Sequence, residues 1–158
     1  MRIVFDQPTL AALDRQPGGC LVLTTFEDDR PLRGLSGRVD WRMNGRLSRL
    51  LQTGFVDGHF LEAALSPSAG KLPFDRLLLI GLGRRSEFNP QRFDQACQFC
   101  FRTLSGLSVK RIALAPQGQL GVHMTLQRMS SGWRNALLDC FDAESVAAME
   151  ICILVNSH

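Results

Sequence analysis

The sequence lacks the long apolar run that a membrane-spanning helix requires. No stretch approaches the roughly 20 apolar residues of such a span, and the purest run is only Leu77–Ile80. The apolar start Ile3-Val4-Phe5 is interrupted by Asp6, so it does not resemble the core of a secretory signal. We therefore expect a cytoplasmic protein that has no membrane partner.

The sequence also lacks a large excess of one charge. The chain has 18 Lys and Arg residues against 15 Asp and Glu residues, a formal net charge of +3. This mild basic excess is well below the charge typical of a dedicated nucleic-acid-binding domain. The 158 residues are 45% hydrophobic and contain no internal repeat and no linker. We expect a single domain that spans residues 1–158 and has a substantial core.

Cysteine and histidine are too few and too scattered to suggest a metal centre. The five cysteines are an odd number and lie mostly in apolar segments, which favours reduced, buried thiols. Cys97 and Cys100 have C-x-x-C spacing, but both fall within a predicted helix rather than at its N-terminus, where a redox thiolate is stabilised. His59, His123 and His158 form no pair at metal-ligand spacing. A cysteine–histidine pair that meets only in space stays open.

Common catalytic motifs are missing as well. The sequence has no G-x-S-x-G nucleophile elbow and no G-x-x-x-x-G-K phosphate loop. We therefore predict no catalytic residues, no metal ligands and no cofactor.

The most informative stretch that is present runs from Leu77 to Gly83. A short apolar run bounded by charges and glycines predicts a central strand buried on both faces. Ligands of open α/β sheets bind beyond the C-terminal ends of such strands, which makes Gly81, Gly83, Arg84 and Arg85 candidate ligand-binding residues. The simpler interpretation is a tight turn that needs glycine for its dihedral angles, because G-x-G alone is a weak signal.

Apolar periodicity and turn residues divide the rest of the chain into strands and helices. The other predicted strands are Arg2–Phe5, Cys20–Phe26, Phe60–Leu65, Arg111–Ala115 and a last one, at a sheet edge, over Met149–Val155. The predicted helices are a short one or a turn at Pro8–Asp14, then Ser36–Thr53, then Pro90–Ser105 with Asn89 as N-cap, and Leu126–Cys140. Strands that alternate with helices predict an α/β fold with a mixed sheet.

Two charged segments have competing interpretations. The predicted helix Ser36–Thr53 has one basic side, with Gly45 as a place to bend or to pack closely. The arginines of that side are Arg38, Arg42, Arg46 and Arg49. They suit phosphate or nucleic acid, but an ordinary solvated face is the simpler interpretation. The acidic loop Glu27-Asp28-Asp29 is predicted to be a solvated tip.

Two segments together resemble a known family. One is Val39–Leu51, which contains Gly45-Arg46-Leu47-Ser48-Arg49-Leu50-Leu51, followed by Gly54–Gly58. The other is Arg76–Gly83, followed by the Asn89-Pro90 helix and the strand Lys110–Leu114. In this order they are similar to the N-terminal domain of the cytosolic leucyl aminopeptidases, the M17 peptidases, over roughly Arg2–Ala115.

The resemblance implies a three-layer α/β/α fold like that of macro domains. It also implies a role in protein interaction, assembly or regulation, as a homo-oligomer or with a protein partner. The metal ions and the peptidase chemistry of that family belong to a separate C-terminal domain, whose signature Asn-Thr-Asp-Ala-Glu-Gly-Arg does not occur in these residues. No catalytic residue is therefore carried over from the family.

A nucleotide ligand is the alternative that a macro-like fold suggests. Its pocket would lie among the loops after the strands, where arginines near glycines suit a phosphate. The candidate loops are Gly34–Gly37, Gly81–Arg85 and Pro116–Gly121, which includes Gly118. A third alternative, nucleic-acid binding by the arginine side of the helix, rests on charge alone.

Overall fold

The computed structural model describes residues 1–16, 18–116 and 124–156 of the chain. It contains a six-stranded sheet with the strand order β1-β6-β5-β2-β4-β3. The strands are β1 (Arg2–Asp6), β2 (Cys20–Thr25), β3 (Ala63–Pro67), β4 (Arg76–Gly81), β5 (Arg111–Ala115) and β6 (Glu150–Leu154). All neighbouring strands are parallel except β3 and β4, so the predicted mixed sheet is confirmed.

Helices cover both faces of the sheet, which gives the three layers expected. The helices are α1 (Leu10–Asp14), α2 (Gly34–Arg42), α3 (Arg46–Gln52), α4 (Pro90–Ser105), α5 (Leu126–Cys140) and α6 (Ala143–Ala147). α1, α2 and α3 pack on one face and share a core with one set of strand side chains. α4, α5 and α6 pack on the other face and share a second core. No helix of the described residues is long and apolar enough to cross a membrane.

β4 is buried on both faces, as predicted. Leu77 and Leu79 point into the core beneath α2 and α3, and Leu78 and Ile80 point into the core beneath α4 and α5. None of these four side chains is more than 1% exposed. The position of β4 in the sheet differs from the predicted central one: β4 is the second strand from the edge, next to β3.

The predicted helix over Ser36–Thr53 is two helices. Asn44 and Gly45 both have positive φ, 57° and 74°, a conformation that ends one helix and lets a second begin at a new angle. The carboxylate of Asp40 in α2 accepts the backbone N–H of Ser48 at 3.0 Å and so caps the first turn of α3. The apolar period continues across the break, since Met43 and Leu47 are both buried.

Three further predictions about elements need correction. The strand predicted over Phe60–Leu65 lies later, at Ala63–Pro67, because Asp57–Glu62 is occupied by a hydrogen-bonded loop. The last strand, β6, was predicted at a sheet edge but lies between β1 and β5. All of its residues except the first are buried, as expected for an interior strand. The helix α6 was not predicted, although Asp142 caps it through a hydrogen bond from Ser145 N–H at 2.8 Å.

Candidate functional site

The C-terminal ends of β2 and β4 meet three loops, residues 26–30, 57–62 and 81–85, which we call the strand-end junction. Gly81 closes β4, and a Cβ atom placed on it would lie 2.1 Å from the carbonyl oxygen of His59. Gly83 has a φ of +75°, which favours glycine. Both glycines are therefore required by the packing of the chain on itself.

The backbone polar groups of these two glycines are used within the chain. Each N–H donates to, and each C=O accepts from, a neighbouring loop. The partners are Glu62 O (2.8 Å) and Leu61 N (3.1 Å) for Gly81, and Gly58 O (2.9 Å) and Glu27 N (2.9 Å) for Gly83. A phosphate-binding turn presents backbone N–H groups to its ligand, whereas this turn directs them into its own fold.

Arg85 is held by groups of the same chain. Its Nη2 atom lies 3.0 Å and 2.8 Å from the two carboxylate oxygens of Asp29. Its guanidinium lies over the ring of Phe26, 4.3 Å from the centroid. The backbone N–H of Arg85 donates to the carboxylate of Asp28 at 3.1 Å. Asp29 is buried, 9% exposed. The prediction that Glu27-Asp28-Asp29 forms a solvated tip is therefore wrong for Asp29, because its carboxylate turns inward to pair with Arg85.

Arg84 belongs to a more exposed cluster that joins two loops. Its Nε atom lies 3.4 Å from Glu27, and Nδ1 of His59 bonds the other oxygen of the same carboxylate. The hydrogen bond from His59 lowers the pKa of Glu27, and the hydrogen bond to Glu27 raises the pKa of His59. Asp57, 3.6 Å from Nε2 of His59, favours the same protonated state.

The 57–62 loop is organised by one carboxylate and one guanidinium. Glu62 accepts the N–H groups of Asp57 at 3.0 Å, Gly58 at 2.7 Å and His59 at 3.1 Å. Arg30 crosses from the loop after β2 and donates to the carbonyl oxygen of Asp57 at 2.9 Å. Sequence reasoning missed Glu27, Asp29, His59 and Glu62, since their partners are distant in sequence and no local motif joins them.

A small apolar cavity lies beside the junction, between the sheet and α4 and α5. It is lined by side chains at the C-terminal ends of β2, β4 and β5, by Cys97 and Cys100, and by Trp133. The volume open to the centre of a water molecule is about 30 Å³, room for about two waters.

The two C-x-x-C thiols are structural in their surroundings. Cys97 and Cys100 are 3% and 7% exposed, and burial raises the pKa of both thiols. This confirms the predicted burial.

The ring nitrogens of His59 contact carboxylates. No group of three or more His, Cys, Asp or Glu residues in the described part of the chain is arranged to hold a metal ion.

The other candidate glycines lie in a helix or outside the described residues. Gly34 and Gly37, predicted to form a ligand loop, are in the first turn of α2. A Cβ atom on Gly37 would lie 2.7 Å from the carbonyl oxygen of Leu32, which explains a glycine there by packing. Gly118 and the other loop residues after Pro116, like His123, lie outside the described residues.

The basic side predicted for one helix is divided between α2 and α3. Arg42 pairs with Asp14 of α1 at 2.5 Å, and Arg38 donates to the carbonyl oxygen of Pro8 at 3.3 Å. Arg49 donates to the carbonyl oxygen of Asn44 at 3.2 Å, and Arg46 lies on the first turn of α3. The break at Gly45 means that these four arginines do not form one continuous stripe.

The sheet order, the single antiparallel edge strand and the two helical layers define a macro-domain-like α/β/α protein. Solved macrodomains share this fold. The macrodomain of Mycobacterium tuberculosis DarG superposes with a TM-score of 0.71 at 12% identity, over 98% of both chains. The Trypanosoma brucei macrodomain in complex with ADP-ribose has a TM-score of 0.64 at 16% identity, over 98% of this chain and 63% of that one.

Within that class, the sequence identifies the family. Residues 22–132 match the profile described as "Cytosol aminopeptidase family, N-terminal domain", and the chain belongs to this family. A probable cytosol aminopeptidase of Glaesserella parasuis is 31% identical over 87 residues, 55% of this chain and 17% of that protein. One from Burkholderia mallei is 29% identical over 93 residues, 59% of this chain and 18% of that protein.

Tomato leucine aminopeptidase, as a K354E mutant, shares the fold with a TM-score of 0.68 at 17% identity, over 99% of this chain and 32% of that one. The segments that match the two curated relatives span less than a fifth of the length of each relative. The resemblance recognised in the sequence is confirmed, and it concerns the N-terminal domain.

Proposed function

We propose that these 158 residues act in protein interaction, assembly or regulation within the cytoplasm and do not themselves hydrolyse peptides. The proposal is supported by the domain that the family profile matches, since the chain covers the N-terminal part of proteins several times longer. Peptidase activity belongs to those whole proteins and is not transferred to this chain.

The observation that carries the proposal is the self-contained strand-end junction. At the C-terminal end of β4, where an α/β sheet can offer a ligand crevice, the backbone groups of Gly81 and Gly83 bond to neighbouring loops of the same chain. The arginines that follow are paired with Glu27 and Asp29. Because the glycine backbone groups and the two arginines stabilise the loops of the domain itself, we infer that contacts with other chains are made by the outer surface of the domain.

The catalytic half of the proposal is tested with the purified chain and a leucyl chromogenic substrate in the presence of zinc or manganese. We expect no release of leucine above the rate of buffer with metal, and a full-length cytosol aminopeptidase serves as the positive control. Release that a chelator abolishes would contradict the proposal.

Binding of ADP-ribose or a related nucleotide is the second candidate, because the fold is shared with a macrodomain whose structure contains ADP-ribose. A ligand that binds only the folded state raises the melting temperature as its concentration increases. We expect no shift with ADP-ribose or ATP. A saturable, salt-tolerant shift that is lost in Arg84→Ala would favour the nucleotide binder over the interaction module.

A further inference from the structure

The two edges of the sheet differ in how well they resist pairing with another strand. β3, at one edge, ends in Pro67. Its pairing with β4 places Ala63, Leu65 and Pro67 at alternate positions along the strand. Exposed edge strands commonly contain proline or charge that prevents a further strand from adding.

β1, at the opposite edge, contains no proline and has an outward pattern of backbone groups. Arg2 N–H donates to Met149 O at 2.9 Å and Asp6 O accepts from Val155 N–H at 3.0 Å. In a parallel ladder, alternate residues bond to the partner strand. Arg2, Val4 and Asp6 therefore bond toward β6, and the N–H and C=O groups of Ile3 and Phe5 point to the open side.

The side chains of β1 are self-complementary when the strand pairs antiparallel with a copy of itself about Val4. Arg2 then lies opposite Asp6 of the other copy, and Ile3 lies opposite Phe5. Residues directly opposite share one face and interact. The Ile3–Phe5 pairs are those whose backbone groups point outward on both strands, so each pair exchanges both of its hydrogen bonds.

The exposure of these side chains agrees with such a partner. Phe5 is 52% exposed, an unusual state for an aromatic side chain on a strand, and Ile3 is only partly buried. In the described part of the chain, no carboxylate lies within ion-pair distance of Arg2. The carboxylate of Asp6 accepts from Nη2 of Arg15 at 2.8 Å and from the backbone N–H of Gln7 at 2.8 Å, and its two oxygens retain lone pairs for a second cation.

We propose that β1 is a homodimerisation edge, through which two copies of this chain join their sheets antiparallel about Val4. This inference rests on the proposed assembly role and names its partner as a second copy of the chain. Because the contact is a single short strand, the dimer is weak, with a dissociation constant on the order of 100 µM.

The test is sedimentation equilibrium of the intact chain from about 5 to about 500 µM, a range that brackets the expected dissociation constant. Arg2→Asp alone places like charges opposite each other at both ends of the pairing, and so does Asp6→Arg alone. Each variant should dimerise about tenfold more weakly than the wild type. An equimolar mixture of the two variants restores both opposite-charge pairs, and we expect heterodimers of near wild-type affinity.

Two further variants control for folding and position. Phe5→Pro removes an outward N–H without touching a bond to β6, so it should abolish the dimer while the melting temperature stays close to that of the wild type. Leu65→Lys changes the β3 edge and should leave the dimer unchanged. If Phe5→Pro does not fold, the mixing experiment decides alone.

Three results would overturn the inference: a chain that stays monomeric throughout the range, a dimer that is indifferent to the charge reversals, or a mixture that gains nothing over its components. The last two would leave the assembly role standing with another interface. Leucine release and the ADP-ribose shift, which decide the proposed function, are independent of this experiment.

Discussion

The strand-end junction and the pair of helices α2 and α3 both carry arginines, yet they use them differently. At the junction, Arg85 contacts a buried carboxylate and an aromatic ring. On the helices, Arg42 makes an exposed pair with Asp14. In the described residues no carboxylate lies within ion-pair distance of Arg46 or Arg49. The number of arginines in a segment therefore says less about ligand binding than the partners they already have.

The largest expected effect is at the junction, where Gly81→Ala forces a side chain against the loop backbone. A Cβ atom 2.1 Å from His59 O requires movement of the 57–62 loop, and we expect a loss of about 3 kcal/mol or more in the free energy of unfolding. Gly45→Ala, between α2 and α3, is the matched control. A Cβ atom placed on Gly45 would have nothing within 4 Å. Only the positive φ therefore opposes the substitution, and we expect a loss of about 1 kcal/mol in the free energy of unfolding. Equal losses in urea denaturation would remove the distinction between the two regions.

A smaller effect should separate the two arginines of the junction. Arg85→Ala leaves the buried carboxylate of Asp29 without its guanidinium partner, and we expect a loss of about 1–2 kcal/mol, reduced by the partial exposure of Arg85. The side chain of Arg84 is 70% exposed, so Arg84→Ala should cost less than about 0.5 kcal/mol. The same denaturation experiment measures both, and a larger loss for Arg84 would contradict the described roles.

The His59–Glu27 pair predicts that the free energy of unfolding depends on pH. Because the pKa of His59 is raised in the folded state, its contribution is complete below its unfolded pKa and is lost as pH rises through the raised value. Because the pKa of Glu27 is lowered, its contribution is present above its unfolded pKa and is lost as pH falls through the lowered value.

His59→Gln should therefore destabilise the protein at about pH 6 and have little effect at about pH 9. Glu27→Gln should remove most of this difference between the two pH values. A His59→Gln effect of the same size at both pH values would mean that the protonated pair does not contribute.

The smallest effects are expected on the helices. Arg42→Ala should cost about 0.5 kcal/mol through its pair with Asp14, and Arg46→Ala should have no measurable effect on stability. Fluorescence polarisation with labelled duplex DNA at physiological salt should show no saturable binding. Binding that falls steeply with salt and weakens in Arg42→Ala and Arg46→Ala would support the nucleic-acid alternative.

Local signals predicted those parts of the fold that local groups determine. Asn89-Pro90 predicted the start of α4, and Asn89 Oδ1 accepts the N–H of Arg92 at 2.8 Å. The end of that helix at Ser105, before Gly106, is confirmed as well. In contrast, one helix was predicted where the structure has α2 and α3: Gly45 was recognised as a place to bend, but the apolar period runs through Asn44-Gly45 and hides a full break.

The junction could not be predicted in the same way. The strand Arg76–Gly81 and its glycines were recognised, but the groups that occupy the turn come from elsewhere in the chain. Glu27 lies 32 residues from His59, and Asp29 lies 56 residues from Arg85. Pairings over such distances depend on which strands are neighbours, and the strand order is not encoded in any one segment.

The position of β6 between β1 and β5 sets the order in which the sheet can be completed during synthesis. β1 leaves the ribosome first, but the strand opposite it holds Glu150–Leu154. The strands β5, β2, β4 and β3 can pair once Ala115 has emerged, whereas β1 can pair with β6 only after Leu154 has emerged. Such distant pairing is slow to form, so pulse-labelled hydrogen exchange during refolding should show the β1 and β6 amides gaining protection last.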